Sequence, residues 1–324
     1  MRYIFIIIMS LGILYNAEAS ENRSFRIVFY NVENLFDLKK DSLKDDSDFL
    51  PGAVRKWNYS KYKHKQINLS KVLCAIGGWD VPALIGMCEV ENDSVLKYLT
   101  RYTPLRELGY KYVVTNSPDR RGIDVALLYQ PDQFRLLEVN MLPVSQGQSP
   151  TRDLLHVSGR VISGDTLDVF VCHLPSKSRG EAQSDHLRMR VVEELISRSD
   201  SISGHRANSF QIVMGDMNDH IDSKALTQLR EKLHHISHDQ KEIGTYYFQN
   251  SWETIDHFFV SDNLLRADSH ITVFQMKSYI FAPDFLFREN KNGIKVPWRT
   301  YQGLYYSGGY SDHLPVYLNL NIKW

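Results

Sequence analysis

Seven apolar runs in this chain carry acids, amides or a histidine at one end. SFRIVFY leads into Asn31-Val32-Glu33-Asn34, and ALIGMC into Glu89-Val90-Glu91-Asn92. LDVFVC leads into His173, and FQIVMG into Asp216-Met217-Asn218-Asp219. Three more runs begin with such residues: Asp124 opens VALLY, Asp256-His257 opens FFV, and Asp312-His313 opens LPVYLNL. Carboxylates, amides and neutral imidazoles without cysteine ligands suit a hard divalent cation such as Mg²⁺ or Mn²⁺. Mg²⁺ usually takes one or two protein carboxylates and leaves places for phosphate oxygens. Histidines at the same edge suit proton transfer or direct contact with a phosphate. Together these residues point to metal-assisted hydrolysis of a phosphate ester by water.

The trio Ser311-Asp312-His313 is not a catalytic triad. A triad needs a carboxylate on one imidazole nitrogen and a nucleophile on the other. A strand from Leu314 to Leu320 would turn Asp312 and His313 to opposite faces. Their partners must then come from elsewhere in the chain.

The elements that position these groups are mostly short strands rich in Val, Ile, Phe and Tyr. If the three runs that begin with acids lie antiparallel to the four that end with them, all seven clusters reach one edge. Continuous apolar runs imply burial on both sides, as in two sheets packed face to face with helices outside. Two helices stand out. SKYKHKQINLSKVLCAIGG has apolar residues at Ile67, Leu69, Val72, Leu73 and Ile76 and stops at Gly77-Gly78. SRGEAQSDHLRMRVVEELISRS sets Leu187, Val191, Leu195 and Ile196 on one stripe.

The 324 residues are 43% hydrophobic and 23% charged, enough for a large core. The first residues, MRYIFIIIMSLGILYNAEAS, read as an export signal over residues 1–19. Arg2 is the basic start, Ile4 to Leu14 the apolar stretch, and Ala17-Glu18-Ala19 the small-residue cleavage pattern. The expected mature chain, residues 20–324, is one domain, periplasmic or secreted, with no stable membrane span and monomeric. Cys74, Cys88 and Cys172 do not make a disulfide framework, and Cys88 and Cys172 read as small buried hydrophobes. Formal net charge is zero, which argues against a module that merely binds polyanions.

In their order, FYNVENLFD, GMCEVEN, RRGIDVALLY, VCHLPSK, MGDMND, TIDHFFVSD and YSDHLPV give the chain a plain resemblance. It resembles the endonuclease/exonuclease/phosphatase superfamily over nearly the whole mature chain. The resemblance implies a four-layered α/β sandwich with the site at one end of two packed sheets. It implies Glu89 as the principal metal ligand, with Asn31, Glu33 and Asp312 completing the cluster around Mg²⁺ or Mn²⁺. It implies that Asp216 and Asn218 place the attacking water and the phosphate. His313 is expected to be oriented by Asp256, and His173 to touch the phosphate or serve the leaving group. Asp124 is the expected carboxylate behind His173. Whether His313 or Asp216 is the general base stays open.

Two segments bear on the substrate, expected to be a phosphate ester, with nucleic acid as one candidate. VRKWNYSKYKHK mixes basic and aromatic residues. VPWRTYQGLYYSGGY places Trp298, Arg299 and Tyr301 just before the Asp-His corner. Interleaved aromatics and cations suit stacked bases and phosphates. A solvated helix start and an aromatic-packed loop are the alternatives. An endonuclease-like phosphodiesterase is the first expectation. A phosphatase or phospholipase C-type enzyme on a sugar phosphate or lipid headgroup, or a non-catalytic phosphate-binding module, are the others.

Overall fold

A computed structural model describes residues 23–144, 151–176 and 180–323. The expected signal segment lies outside the described residues. The first half runs β1 (Arg23–Leu35), α1 (Tyr59–Gly77), β2 (Leu84–Val90), α2 (Asp93–Tyr102), β3 (Lys111–Val114) and β4 (Asp124–Tyr129). Then come β5 (Arg135–Leu142), β6 (Leu154–Arg160), β7 (Thr166–His173), α3 (Glu181–His205), β8 (Phe210–Asp216), α4 (Lys224–Arg230) and β9 (His234–Ile236). A small hairpin, β10 (Tyr246–Phe248) and β11 (Ser251–Glu253), precedes β12 (Asp256–Val260) and β13 (Ile271–Ile280). Two further small pairs, β14 (Phe287–Glu289) with β15 (Lys295–Pro297) and β16 (Tyr301–Gln302) with β17 (Tyr305–Tyr306), lead to β18 (Val316–Ile322).

The long strands make two six-stranded sheets, ordered β13-β18-β1-β2-β4-β3 and β5-β6-β7-β8-β12-β9. β1 and β2 are parallel and joined through α1; β7 and β8 are parallel and joined through α3. Parallel neighbours require such a crossover. β4, β12 and β18 run antiparallel to β2, β8 and β1. All seven polar clusters therefore reach one edge, as the run pattern requires. The sheets press closely: a Cβ on Gly86 of β2 would stand 2.6 Å from the Met214 methyl of β8. One apolar core joins the sheets and α1 and α2 through Phe29, Leu73, Ile85, Leu96, Val171 and Met214. A second, with Phe170, Val192, Leu195, Val213 and Leu226, lies between the second sheet and α3 and α4.

α1 differs from its expected face in one respect. Leu69, Val72, Leu73 and Ile76 are buried, but Ile67 is exposed. Lys65 and Asn68 are buried instead. Lys65 donates to Thr300 Oγ1 and the Tyr310 carbonyl, and Asn68 donates to the carbonyls of Gly308 and Gly309. The helix thus ties down the segment that carries Arg299. α2 was readable but is absent from the expectations above: Asn92 caps it by accepting from Val95 N–H, and Val95, Leu96 and Leu99 form its buried stripe.

Candidate active site

The strand ends are bent before they reach the site. β1 loses register with β2 between Asn31 and Leu35, and Glu33 and Asn34 take φ of 50° and 51°. β2 loses register with β4 between Cys88 and Val90, and Glu89 takes φ 61°. Asn218, just past β8, has φ 49°. Left-handed backbone is costly for such residues, about 1–3 kcal/mol each, and persists where the surroundings hold it. These bulges re-aim side chains that straight strands would point elsewhere.

Oxygen ligands gather at the ends of the first sheet. Glu89 Oε2 accepts from Asn34 N–H at 2.8 Å, and Oε1 lies 3.6 Å from Arg121 Nη2. Asp312 Oδ2 accepts from Arg299 Nη2 at 2.8 Å. Asn31 Oδ1 accepts from Glu33 N–H at 3.0 Å. Glu33 is held by three partners from elsewhere in the chain. Its Oε2 accepts from Thr300 N–H at 2.6 Å, its Oε1 lies 3.3 Å from Arg299 Nε, and Lys65 Nζ is 3.9 Å away. Burial, then the charge of Asp312, pushes the Glu33 carboxyl upward. Its observed work is to hold Arg299 and Thr300 in place.

The donor set fits a hard divalent cation. Burial pulls the Lys65 ammonium down, while the charges of Glu33, Asp312 and Glu89 all hold it up, so three carboxylates converge on one buried region. Negative charge accumulated away from water is what a divalent cation relieves. Beside these carboxylates, Asp216, Asp256 and His313 bring one possible ligand atom each within 4.8 Å of one another.

The second sheet brings acids and imidazoles. His313 Nδ1 bonds Asp256 Oδ2 at 2.8 Å, and His313 Nε2 lies 3.8 Å from Asp216 Oδ2. Asn31 Nδ2 donates to that same Asp216 oxygen at 2.9 Å. His173 Nε2 lies 3.7 Å from it. Asn218 donates its N–H to Asp216 Oδ1 and its Nδ2–H to the Leu174 carbonyl, both at 2.9 Å. Burial disfavours the His313 imidazolium, but Asp256 and Asp216 outweigh it and hold the ring protonated. Burial, with the charge of Asp256, pushes Asp216 up against the opposing pull of His313. Burial and the charges of Arg152 and Arg121 keep His173 neutral. Asp256 Oδ1 and His173 Nδ1 are buried without a hydrogen-bond partner. Ser311 donates to the Asn31 carbonyl at 2.7 Å and accepts from His313 N–H, so it shapes the turn.

Three expected roles change. Asp124 does not bond His173: its Oδ1 accepts from Thr115 Oγ1 and Ser117 N–H, nine and seven residues back along its own hairpin. Tyr301 is 4% exposed, packed against Phe49 and Trp57 with its hydroxyl on the Arg55 carbonyl. Trp298 is half-buried, donates from its indole to Ser307 and sets its edge against Tyr310. Tyr301 is thus enclosed within its own segment, whereas Tyr305 of the same segment is 73% exposed. Arg299 does reach the site.

The structure adds residues that spacing did not single out. Arg121 lies beside Glu89, and Arg152, bonded to Asp119 and the Leu174 carbonyl, lies near His173. The ring of Tyr246 stacks on His313 at 4.8 Å between centroids. Arg121 stood within RRGIDVALLY, but the doublet looks like any solvated loop. Tyr246 gave only an aromatic ahead of Asp256.

The model of the Endonuclease/Exonuclease/phosphatase family matches residues 26–322. The chain belongs to this family. Solved structures agree in fold. An endonuclease/exonuclease/phosphatase family protein from Bacteroides thetaiotaomicron has TM-score 0.61 and 16% identity, covering 94% of this chain and 97% of that one. The mannosyl-6-phosphatase Bt3783 of B. thetaiotaomicron has TM-score 0.58 and 17% identity, with 92% and 99% covered. Humanized D. rerio TDP2 has TM-score 0.59 and 14% identity, with 92% and 99% covered. No curated protein matches the sequence. Membership makes this a phosphoesterase fold.

Proposed function

We propose that the chain is an exported, monomeric, Mg²⁺- or Mn²⁺-dependent hydrolase of phosphate esters. The observation that carries it is the meeting of the Asp256–His313 pair, Asp216 and Asn31 beside the carboxylates of Glu89 and Asp312. When bound, the cation would polarise the phosphate and neutralise developing negative charge. Glu89, Asp312 and Asn31 would hold it. Asp216, fixed by Asn31 and Asn218, takes the proton of the attacking water. His313, kept protonated between Asp256 and Asp216, donates to a phosphate oxygen. Neutral His173 faces the same phosphate from the other side, and Arg121 and Arg299 bind its remaining oxygens.

Two substrate readings follow. Endonuclease-like cleavage of a phosphodiester is supported by the similarity to TDP2, one structure of which holds a single-strand DNA product. A sugar-phosphate monoester is supported by the inward packing of Tyr301, which removes a stacking surface for bases, and by the similarity to the mannosyl-6-phosphatase. Plasmid nicking, bis(p-nitrophenyl) phosphate and p-nitrophenyl phosphate, each with Mg²⁺ and with EDTA, test the proposal. Metal-dependent hydrolysis of at least one is expected. Failure on all three across several divalent metals sinks the enzyme reading, and intact plasmid beside a cleaved monoester sinks the nuclease.

A further inference from the structure

Next to the acid-base pair lies a cavity of ≈ 480 Å³, lined among others by Asn218, His220, Tyr246, Phe248, Glu253 and Ile255. The β10–β11 hairpin forms one wall, with Tyr246 paired to Glu253 across it. Tyr246 and Phe248 stand two residues apart and so share a face. Their rings are nearly parallel, 18° apart with centroids at 6.0 Å, and form a shelf. One end of the shelf is fixed, because Tyr246 also stacks on His313. The other end is open: Phe248 is 47% exposed. Whatever is attached to a phosphate held by His313 and Asn218 meets this shelf first.

The charge of the region restricts what that group is. Asp219 and Glu253 line the cavity, and an adjoining hollow of ≈ 310 Å³ adds Asp185 and Asp222. Arg188 pairs with Asp185 and Asp219, and Lys224 lies in the hollow, so among the described residues four carboxylates face two cations. A neighbouring phosphate of a polynucleotide would be repelled here. The Glu253 carboxylate makes no hydrogen bond among the described residues, whereas a hydroxyl can donate to it. The negative face of an aromatic ring suits the weakly positive C–H face of a pyranose.

We propose that this cavity is a sugar subsite, taking an uncharged, hydroxyl-bearing ring esterified to the phosphate. Tyr246 and Phe248 support its C–H face, and Glu253 accepts from its hydroxyls. The inference rests on the phosphoesterase reading and narrows its substrate class.

Two measurements separate the subsite from the chemistry. The first compares Mg²⁺-supported kcat/KM for glucose 6-phosphate, thymidine 5′-monophosphate and p-nitrophenyl phosphate. Glucose 6-phosphate is expected to exceed the nucleotide at least ~10-fold, and Phe248→Ala or Glu253→Gln to shrink that ratio by about 5–10-fold. The second uses saturation-transfer NMR in EDTA, where no turnover is expected. The sugar-ring protons of glucose 6-phosphate should receive strong transfer from the wild type and little from Phe248→Ala, whose half-exposed site tolerates truncation. Transfer with no hydrolysis of any substrate would remove the phosphoesterase reading and keep the subsite. Hydrolysis of p-nitrophenyl phosphate without sugar preference or ring transfer would remove the subsite and keep the chemistry. Stronger transfer to the thymine protons than to the glucose ring also overturns the subsite.

Discussion

Two buried His–Asp contacts involve the second sheet, one within it and one where it meets the turn ahead of β18 of the first sheet, and they differ in how completely they are satisfied. His156 Nε2 meets Asp168 at 2.9 Å, and His313 Nδ1 meets Asp256 at 2.8 Å. Around the first, Ser158 and Arg206 also donate to Asp168, Asn140 lies 3.2 Å from the far nitrogen of His156, and Phe170 stacks on the ring. Around the second, Asp256 keeps an oxygen without a partner, a second acid lies 3.8 Å from His313 Nε2, and a cavity begins at the ring stacked on it. Distance and burial do not separate the two pairs, but unspent hydrogen-bonding capacity does. β7 links the two regions: Asp168 and His173 are five residues apart on it, roughly 16 Å at strand rise.

Breaking each pair should therefore give opposite signatures. His313→Ala is expected to lower kcat/KM by ~10²–10⁴-fold, the usual worth of a positioned acid-base group. Steady-state kinetics on whichever ester is cleaved reads this directly. Asp168→Ala should leave the rate of the folded enzyme within about twofold while costing about 3 kcal/mol of stability, because it strands buried donors. Urea melts and kinetics on the same sample decide it, and a folded Asp168→Ala protein with little activity would erase the distinction. Glu89→Ala should weaken Mn²⁺ binding by calorimetry at least ~10-fold, and more than His313→Ala does. Equal titrations of the two variants would contradict the ligand role of Glu89.

A third group of histidines sharpens the comparison further. His235 bonds His257 at 3.1 Å, and His238 stacks near His257 and meets the Asp256 carbonyl; among the described residues none of these rings bonds a carboxylate. Burial lowers all three, His235 to about 4. Their folded pKa lies below the unfolded value near 6.5, so the unfolded chain binds more protons as pH falls. Stability should be full above about pH 6.5 and decline toward pH 4, and His257→Asn should flatten that decline in urea melts. The smallest effect is expected from Arg206→Gln, where a half-exposed partner of Asp168 contributes about 1 kcal/mol or less.

Much of the edge was legible because strand direction leaves a trace in sequence. Acids at the C-terminal ends of β1, β2 and β8 and ahead of β4, β12 and β18 could meet only if the latter ran antiparallel, and they do. His313 met Asp256 as expected, whereas the bond from Asn31 to Asp216 was not foreseen. Glu33 and Asp124 were legible as residues near the edge but not in their partners. A bulge turns Glu33 toward Thr300, and a local hairpin claims Asp124 before His173 can. The aromatic run around Tyr301 failed for a related reason: composition does not say which rings satisfy one another. His156 and Asp168 drew no notice, since a cross-strand pair has no signature at one position in the chain.

β18 follows every other described strand in sequence, yet it lies between β13 and β1. A ribosome therefore delivers late the strand that both neighbours need, and with it Asp312 and His313, which immediately precede it. Until that insertion, β1 presents an unpaired edge and the chain lacks the last corner of its site. On the proposed mechanism the nascent chain would stay inactive until the first sheet closes.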